Sequence, residues 1–236
     1  PYVAKDAVLQ DYEARVWLRP GVSLDEVRAG IARELRRRDP QPRLTLVLGA
    51  GNITAIPALD VLSALYQENS AVLVKLNPIT DPLRPALEAA FAPLIDLGIV
   101  AVVSGDRDLG EALVTDDRVD RVHLTGSRHT HDAIVWGDGE DAARRRAAGE
   151  PRLSPPVTSE LGGVGPAIIV PEETWSDDNV DAVARDIATQ RLHNSGFNCV
   201  ATQIVVIPEA WGKADAFVDR LRHHLAIAPT RPAYYP

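Results

Sequence analysis

Short, nearly unbroken runs of apolar and β-branched residues alternate with stretches of helical periodicity through the first half of this chain. That alternation restricts the fold more than any other feature. The runs are "LTLVLGA" at 44–50, "AVLVKLN" at 71–77, "IVAVVSG" at 99–105 and "RVHLTG" at 121–126. Strands that read as continuous apolar runs are buried on both faces. Strands separated by helices pair in parallel. Between the runs, Ala58, Val61, Leu62 and Leu65 share one helical face behind Pro57, and Leu83, Leu87, Phe91 and Leu94 share another. A shorter helix is expected near 108–114. The expectation is an α/β fold with a doubly wound parallel sheet, and such sheets bind ligands at the carboxyl ends of their strands.

Residues 137–156 are rich in Gly, Pro and charge and read as an exposed loop with a short helical piece in its middle. A second α/β pattern follows: a strand at 166–170, a helix with Val180, Val183, Ala184 and Ile187 on one face, and a strand at 203–207. A last helix carries Ala214, Phe217, Val218, Leu221 and Leu225. The first forty residues read as a hairpin or strand piece and a helix near 24–38.

Composition narrows the function classes. With 236 residues, the chain can bury one large or two modest cores. A net charge of −8 and the absence of a basic block give no electrostatic reason to expect nucleic acid or an anionic membrane as partner. Arg144, Arg145 and Arg146 are flanked by Glu140, Asp141 and Glu150 and read as a solvated face. A single cysteine excludes an internal disulfide framework and a multi-cysteine metal site, and the six histidines hold no H-x-x-x-H pair, so no metal is expected. No run reaches membrane-spanning length and no secretory signal opens the chain, so a cytoplasmic setting is expected. A chain that starts at Pro1 and has no Met is expected to be an excised region of a longer protein, or to lack methionines that were lost from the sequence as written.

"GAGNIT" at 49–54 invites comparison with the dinucleotide fingerprint G-x-G-x-x-G, but Thr54 replaces the third glycine. The acidic residue expected about twenty positions later is also missing. Four further pieces add to it. "VKLNP" puts Lys75 and Asn77 at the end of the second strand. "LTGS" puts Gly126 and Ser127 where a strand opens into a helix, so that backbone N–H groups can face an anion. "ELGG" carries Glu160, and "NSGFNCVATQ" carries Cys199. In this order, and with 23 residues from Asn52 to Lys75, the set resembles the aldehyde dehydrogenase superfamily from Leu44 to the end of the chain.

The resemblance implies a Rossmann-like dinucleotide-binding domain over 1–160, with an N-terminal helical piece, and a partial catalytic domain over 161–236. It implies NAD or NADP as cofactor and a small-molecule aldehyde as substrate, in a protein that is a homo-oligomer when full length. Cys199 would attack the aldehyde carbonyl. Its own backbone N–H and the Asn52 amide would stabilise the oxyanion. Hydride passes to the nicotinamide, and Glu160 would activate the water that hydrolyses the thioester, a task suited to a partly buried carboxylate. Lys75 would bond the adenosine ribose, and Gly126 and Ser127 would meet the pyrophosphate. Asn77, Gly105 and Gly110 complete the cofactor set.

Each residue also has a plainer reading. Cys199 could be core filler, Glu160 a turn acid, Asn52 a helix cap, Lys75 a snorkelling lysine, and Gly126–Ser127 a capping turn. Pro78 stands where the family often has a ribose-binding acid, which leaves NADP open. Arg107 falls in the turn after the third strand, where it would either grip a phosphate or crowd the adenine. His131 replaces a family glycine. Two alternative functions remain: a coenzyme A-acylating reductase, and a catalytically silent binding or structural homologue.

Overall fold

A computed structural model describes residues 2–5, 13–172 and 174–235. Strands β1 (Tyr2–Lys5) and β2 (Glu13–Val16) pair antiparallel as the expected hairpin, whose connection at 6–12 lies outside the described residues. Helix α1 (Leu24–Gly30) starts at a capping box between Ser23 and Glu26. It stops far short of the expected residue 38: Ile31 is extended and Ala32 sits at φ 52°. Its apolar positions Val27, Ile31 and Leu35 are all exposed, so no packed face prolongs the helix.

The main sheet contains β3 (Leu44–Leu48), β4 (Ala71–Lys75), β5 (Val100–Val103), β6 (Arg121–Gly126) and β7 (Val157–Leu161), in the order β5-β4-β3-β6-β7. All four pairings are parallel. Helices α2 (Ile56–Glu68) and α3 (Arg84–Asp96) connect β3 to β5, and a 3₁₀ segment (Pro78–Leu83) leads into α3. Val47, Val72, Val74, Val100 and Val102 pack with Val61, Ala64 and Phe91 on one side of the sheet. On the other, Leu46, Leu48, Val122 and Leu124 pack with Val114 of α4 (Arg107–Val114) and Ile134 of α5 (Arg128–Val135). Two cores on opposite faces of one parallel sheet make it doubly wound, as the apolar runs imply.

β7 is absent from the sequence reading. Its residues alternate in exposure instead of forming an apolar run, because it is the outer strand beyond β6. Within 137–156, α6 (Gly139–Ala148) is ten residues long with no buried residue. Acids in its first turn and arginines in its last complement the helix dipole, and Gly149 closes it at φ 70°.

The second α/β unit pairs β8 (Gly165–Ile168) with β9 (Thr202–Val206) in parallel, joined by α7 (Asp177–Leu192) and followed by α8 (Ala214–Ile227). A separate core of Ile169, Val180, Ala184, Ile187 and Phe217 holds it. Ile168, Val170, Ile204 and Val206 are exposed on the opposite face. Among the described residues no helix is long and apolar enough to cross a membrane.

On the α2 side of the sheet, His123 places Nε2 3.4 Å from Asp60 Oδ1 and Nδ1 2.8 Å from the Thr158 hydroxyl. Hydrogen bonding to Asp60 raises the His123 pKa above its ordinary 6.5; burial opposes this, and the charges of Asp60, Glu160 and Glu68 support it. The pairing therefore adds stability that is fully present below pH 6.5 and is lost as pH rises through the raised value. The stability lost on Asp60→Asn should accordingly be larger at about pH 5.5 than at about pH 9, read from melting temperatures across that range. A pH-independent difference would discount the pairing. Leu46, fully buried in the central strand, should cost about 2–5 kcal/mol as Leu46→Ala in chemical denaturation.

Candidate active site

The strand order makes connections leave β3 and β6 in opposite directions, and the gap at their carboxyl ends is where such sheets receive ligands. A cleft of about 370 Å³ opens there, within the usual range for small-molecule sites. Lys75, Asn77, Gly110, Gly126 and Ser127 all line it, together with Pro78, Arg107, His129 and Tyr235.

Lys75 is only 8% exposed, which removes the snorkelling reading. Burial lowers its ammonium pKa, and the carboxylates of Asp81 and Asp106 oppose that shift. Ser127 both lines the cleft and caps α5, accepting from Thr130 N–H at 3.0 Å, so the capping and cofactor readings coexist. Asn77 likewise caps the 3₁₀ segment through Ile79 N–H at 3.1 Å. Gly105 is not in the lining. A Cβ there would meet Leu109 at 2.4 Å, so packing of α4 against the preceding turn accounts for that glycine. Arg107 forms an exposed ion pair with Asp138 at 3.2 Å. His131, in the first turn of α5, pairs with Asp132 at 3.0 Å.

Asn52 does not cap α2. The cap residue is Ala55, which makes no side-chain cap bond. The Asn52 Nδ2 instead donates to the Phe197 carbonyl at 2.7 Å, across 145 residues. The Asn52 carbonyl accepts from Asn194 Nδ2 at 2.8 Å. Asn194 also bonds Asn198 Oδ1 at 3.1 Å, and Asn198 Nδ2 lies 2.7 Å from His193 Nδ1. These side chains brace a turn in which Asn194, Ser195 and Gly196 all have positive φ, at 53°, 55° and 81°. Two positions beyond Phe197, the thiol of Cys199 is exposed, which rules out core filler.

Glu160 is exposed on β7, opposite Thr125 of β6, and not partly buried as its expected role suggests. It lies on the end strand of the sheet, which has β6 as its strand neighbour on one side. Among the described residues no group of three His, Cys, Asp or Glu could hold a metal ion.

Asn194, Tyr234 and Tyr235 join the site although no sequence motif marks them. Asn194 lies inside the quoted cysteine stretch. A Tyr-Tyr doublet in a chain with only five tyrosines was the available signal for the other two.

In the native protein Cys199 should be labelled by a thiol reagent without denaturant, as read by peptide mapping, at a rate little changed by adding urea below the unfolding transition. Labelling that waits for unfolding would contradict the exposed loop.

The model of the "Aldehyde dehydrogenase family" matches residues 54–231. A geranial dehydrogenase of Castellaniella defragrans is 31% identical over 189 residues, which cover 79% of this chain and 35% of that protein. An aldehyde dehydrogenase of Mycobacterium tuberculosis complexed with NAD+ aligns with a TM-score of 0.58 at 22% identity, over 80% of this chain and 35% of that one. A succinic semialdehyde dehydrogenase of Streptococcus pyogenes in complex with NADP+ aligns at 0.55 and 20% identity, over 79% and 37%. The chain thus spans little more than a third of the length of these proteins.

Proposed function

The chain belongs to the aldehyde dehydrogenase family, and on that premise we propose that the complete protein oxidises a small-molecule aldehyde to a carboxylic acid, using Cys199 as nucleophile and NAD or NADP as cofactor. The observation that carries this reading is the hydrogen bond from Asn52 to Phe197. It holds an amide from the end of β3 against the turn that presents an exposed thiol.

The residues around the cleft fit a dinucleotide. Its volume suits an organic ligand, and the N-terminus of α5 at Ser127 offers backbone N–H groups to a phosphate. Lys75 is a buried cation and would bond the ribose, while Asn77, Gly110 and Gly126 line the remaining wall. Gly105 supports that wall from behind by letting Leu109 approach. With Pro78 in the wall, no carboxylate stands at that position to reject a 2′-phosphate, so both NAD and NADP are assigned. A bound nicotinamide supplies the hydride acceptor.

The chain's own groups do the rest. The Cys199 thiolate forms a bond to the aldehyde carbon, and the oxyanion that develops needs donors already in place. Asn52 Nδ2 carries two hydrogens; one is held by Phe197, and the second is available to the oxyanion. Glu160 takes a proton from the water that releases the acid. The two structural units share these tasks. The division expected at 160/161 falls inside β7, whose pairing with β6 runs through Leu161, so we place it at 162–164. A lone thiol without a disulfide partner suits a cytoplasmic protein, and we propose a homo-oligomer for the full-length form.

The test is reduced-cofactor formation by the full-length protein over an aldehyde panel, with NAD and NADP side by side, with and without coenzyme A. Cys199→Ala should lower turnover by at least about 10³-fold. Glu160→Gln should spare the first burst of reduced cofactor and slow steady turnover about 10²-fold. Failure of the wild type with every aldehyde and both cofactors would overturn the assignment. Turnover only with coenzyme A would replace hydrolysis by acyl transfer.

A further inference from the structure

We propose that Tyr234 is a positioning residue for the thiol loop, its hydroxyl and ring holding Asn52 and the 194–197 turn together beside the cleft; its catalytic meaning rests on the function proposed above. Tyr234 Oη lies within hydrogen-bonding reach of the Asn52 carbonyl and 2.8 Å from Asn194 Oδ1. A phenol has one proton, so it serves one of these acceptors at a time and links both. Asn194 already donates to the same Asn52 carbonyl, which closes a triangle of three groups drawn from the end of β3, the thiol loop and the tail after α8.

The aromatic contacts act in the same place. Phe197, whose carbonyl receives the Asn52 amide, meets the Tyr234 ring edge-to-face at 5.1 Å and the Tyr235 ring at 5.5 Å. Tyr235 reaches into the cleft wall beside Lys75. It also explains Gly51: a Cβ there would come within 2.6 Å of the Tyr235 ring and 2.7 Å of Asn77. One tail thus touches the amide donor, the thiol loop and the cleft.

The need for such a clasp follows from the backbone. Three successive residues with positive φ form no repeating ladder, so side-chain bonds must fix the turn. Tyr234 is itself 45% exposed and adds little to a core. Its polar contacts both go to groups that place Asn52 relative to Cys199.

Tyr234→Phe in the full-length protein keeps the ring on Phe197 and deletes the hydroxyl. Backbone amide exchange over 194–199 should quicken about tenfold while β3 stays protected. Turnover should fall about tenfold, with the KM for the dinucleotide held within about twofold and the melting temperature within about 2 °C. Unchanged exchange over 194–199 would overturn the proposal, whatever happens to turnover. An equal gain in exchange throughout the fold would also overturn it, by showing a general stability effect. If the wild type oxidises no aldehyde yet exchange in the variant quickens only at 194–199, the clasp stands and the enzyme reading fails.

Discussion

β3 is bonded on both edges, and the site depends on that constraint. With β4 on one side and β6 on the other, its carboxyl end cannot continue as strand without meeting turns that leave in opposite directions. The chain at 49–52 therefore passes over an open gap. Gly49 still bonds the Lys75 carbonyl at 2.9 Å, so the last rung of the ladder sets where the loop begins. Asn52 emerges a fixed distance beyond it, and Lys75 ends the neighbouring strand in register with Leu48. The buried cation is thus placed by the sheet itself, and the loop that carries the amide starts from a point the sheet fixes.

Charge in the cleft is balanced locally. Lys75 is mostly out of water, and its charged form is disfavoured there. Asp81 in the 3₁₀ segment and Asp106 at the start of α4 compensate, and one Asp81 carboxylate oxygen is buried with no hydrogen-bond partner among the described residues. A ligand that offers hydroxyls to Lys75 joins a site in which the cation's partners act through space and leave its donors open to bonding.

Much of this arrangement is legible in the sequence. The four apolar runs become four parallel strands, because a strand covered on both faces leaves no room for polar alternation. β7 escapes because it has one neighbour only, so its pattern "VTSEL" looks like a loop. The helix near 24–38 fails for a different reason: its periodicity is sound, but Val27, Ile31 and Leu35 find nothing to cover them. At the site, Lys75 and Cys199 stand where strand ends and turn chemistry suggest. The capping role weighed for Asn52 gives way to a partner 145 residues distant, a contact no local pattern encodes. Tyr234 was hidden for the same reason, since its significance lies in what it meets after the chain has returned across the sheet.

The strand order also carries a clock. β3, β4 and β5 can pair as soon as synthesis has passed Val103, but β3 keeps one bare edge until β6 arrives. Roughly seventy residues separate the two strands, about 4–15 s of ribosomal synthesis. For that interval one edge of Leu44–Leu48, four of whose five residues end up buried, is an unpaired template, open to any passing strand. The same adjacency that later frames the cleft makes the nascent chain most vulnerable to aggregation before β6 joins.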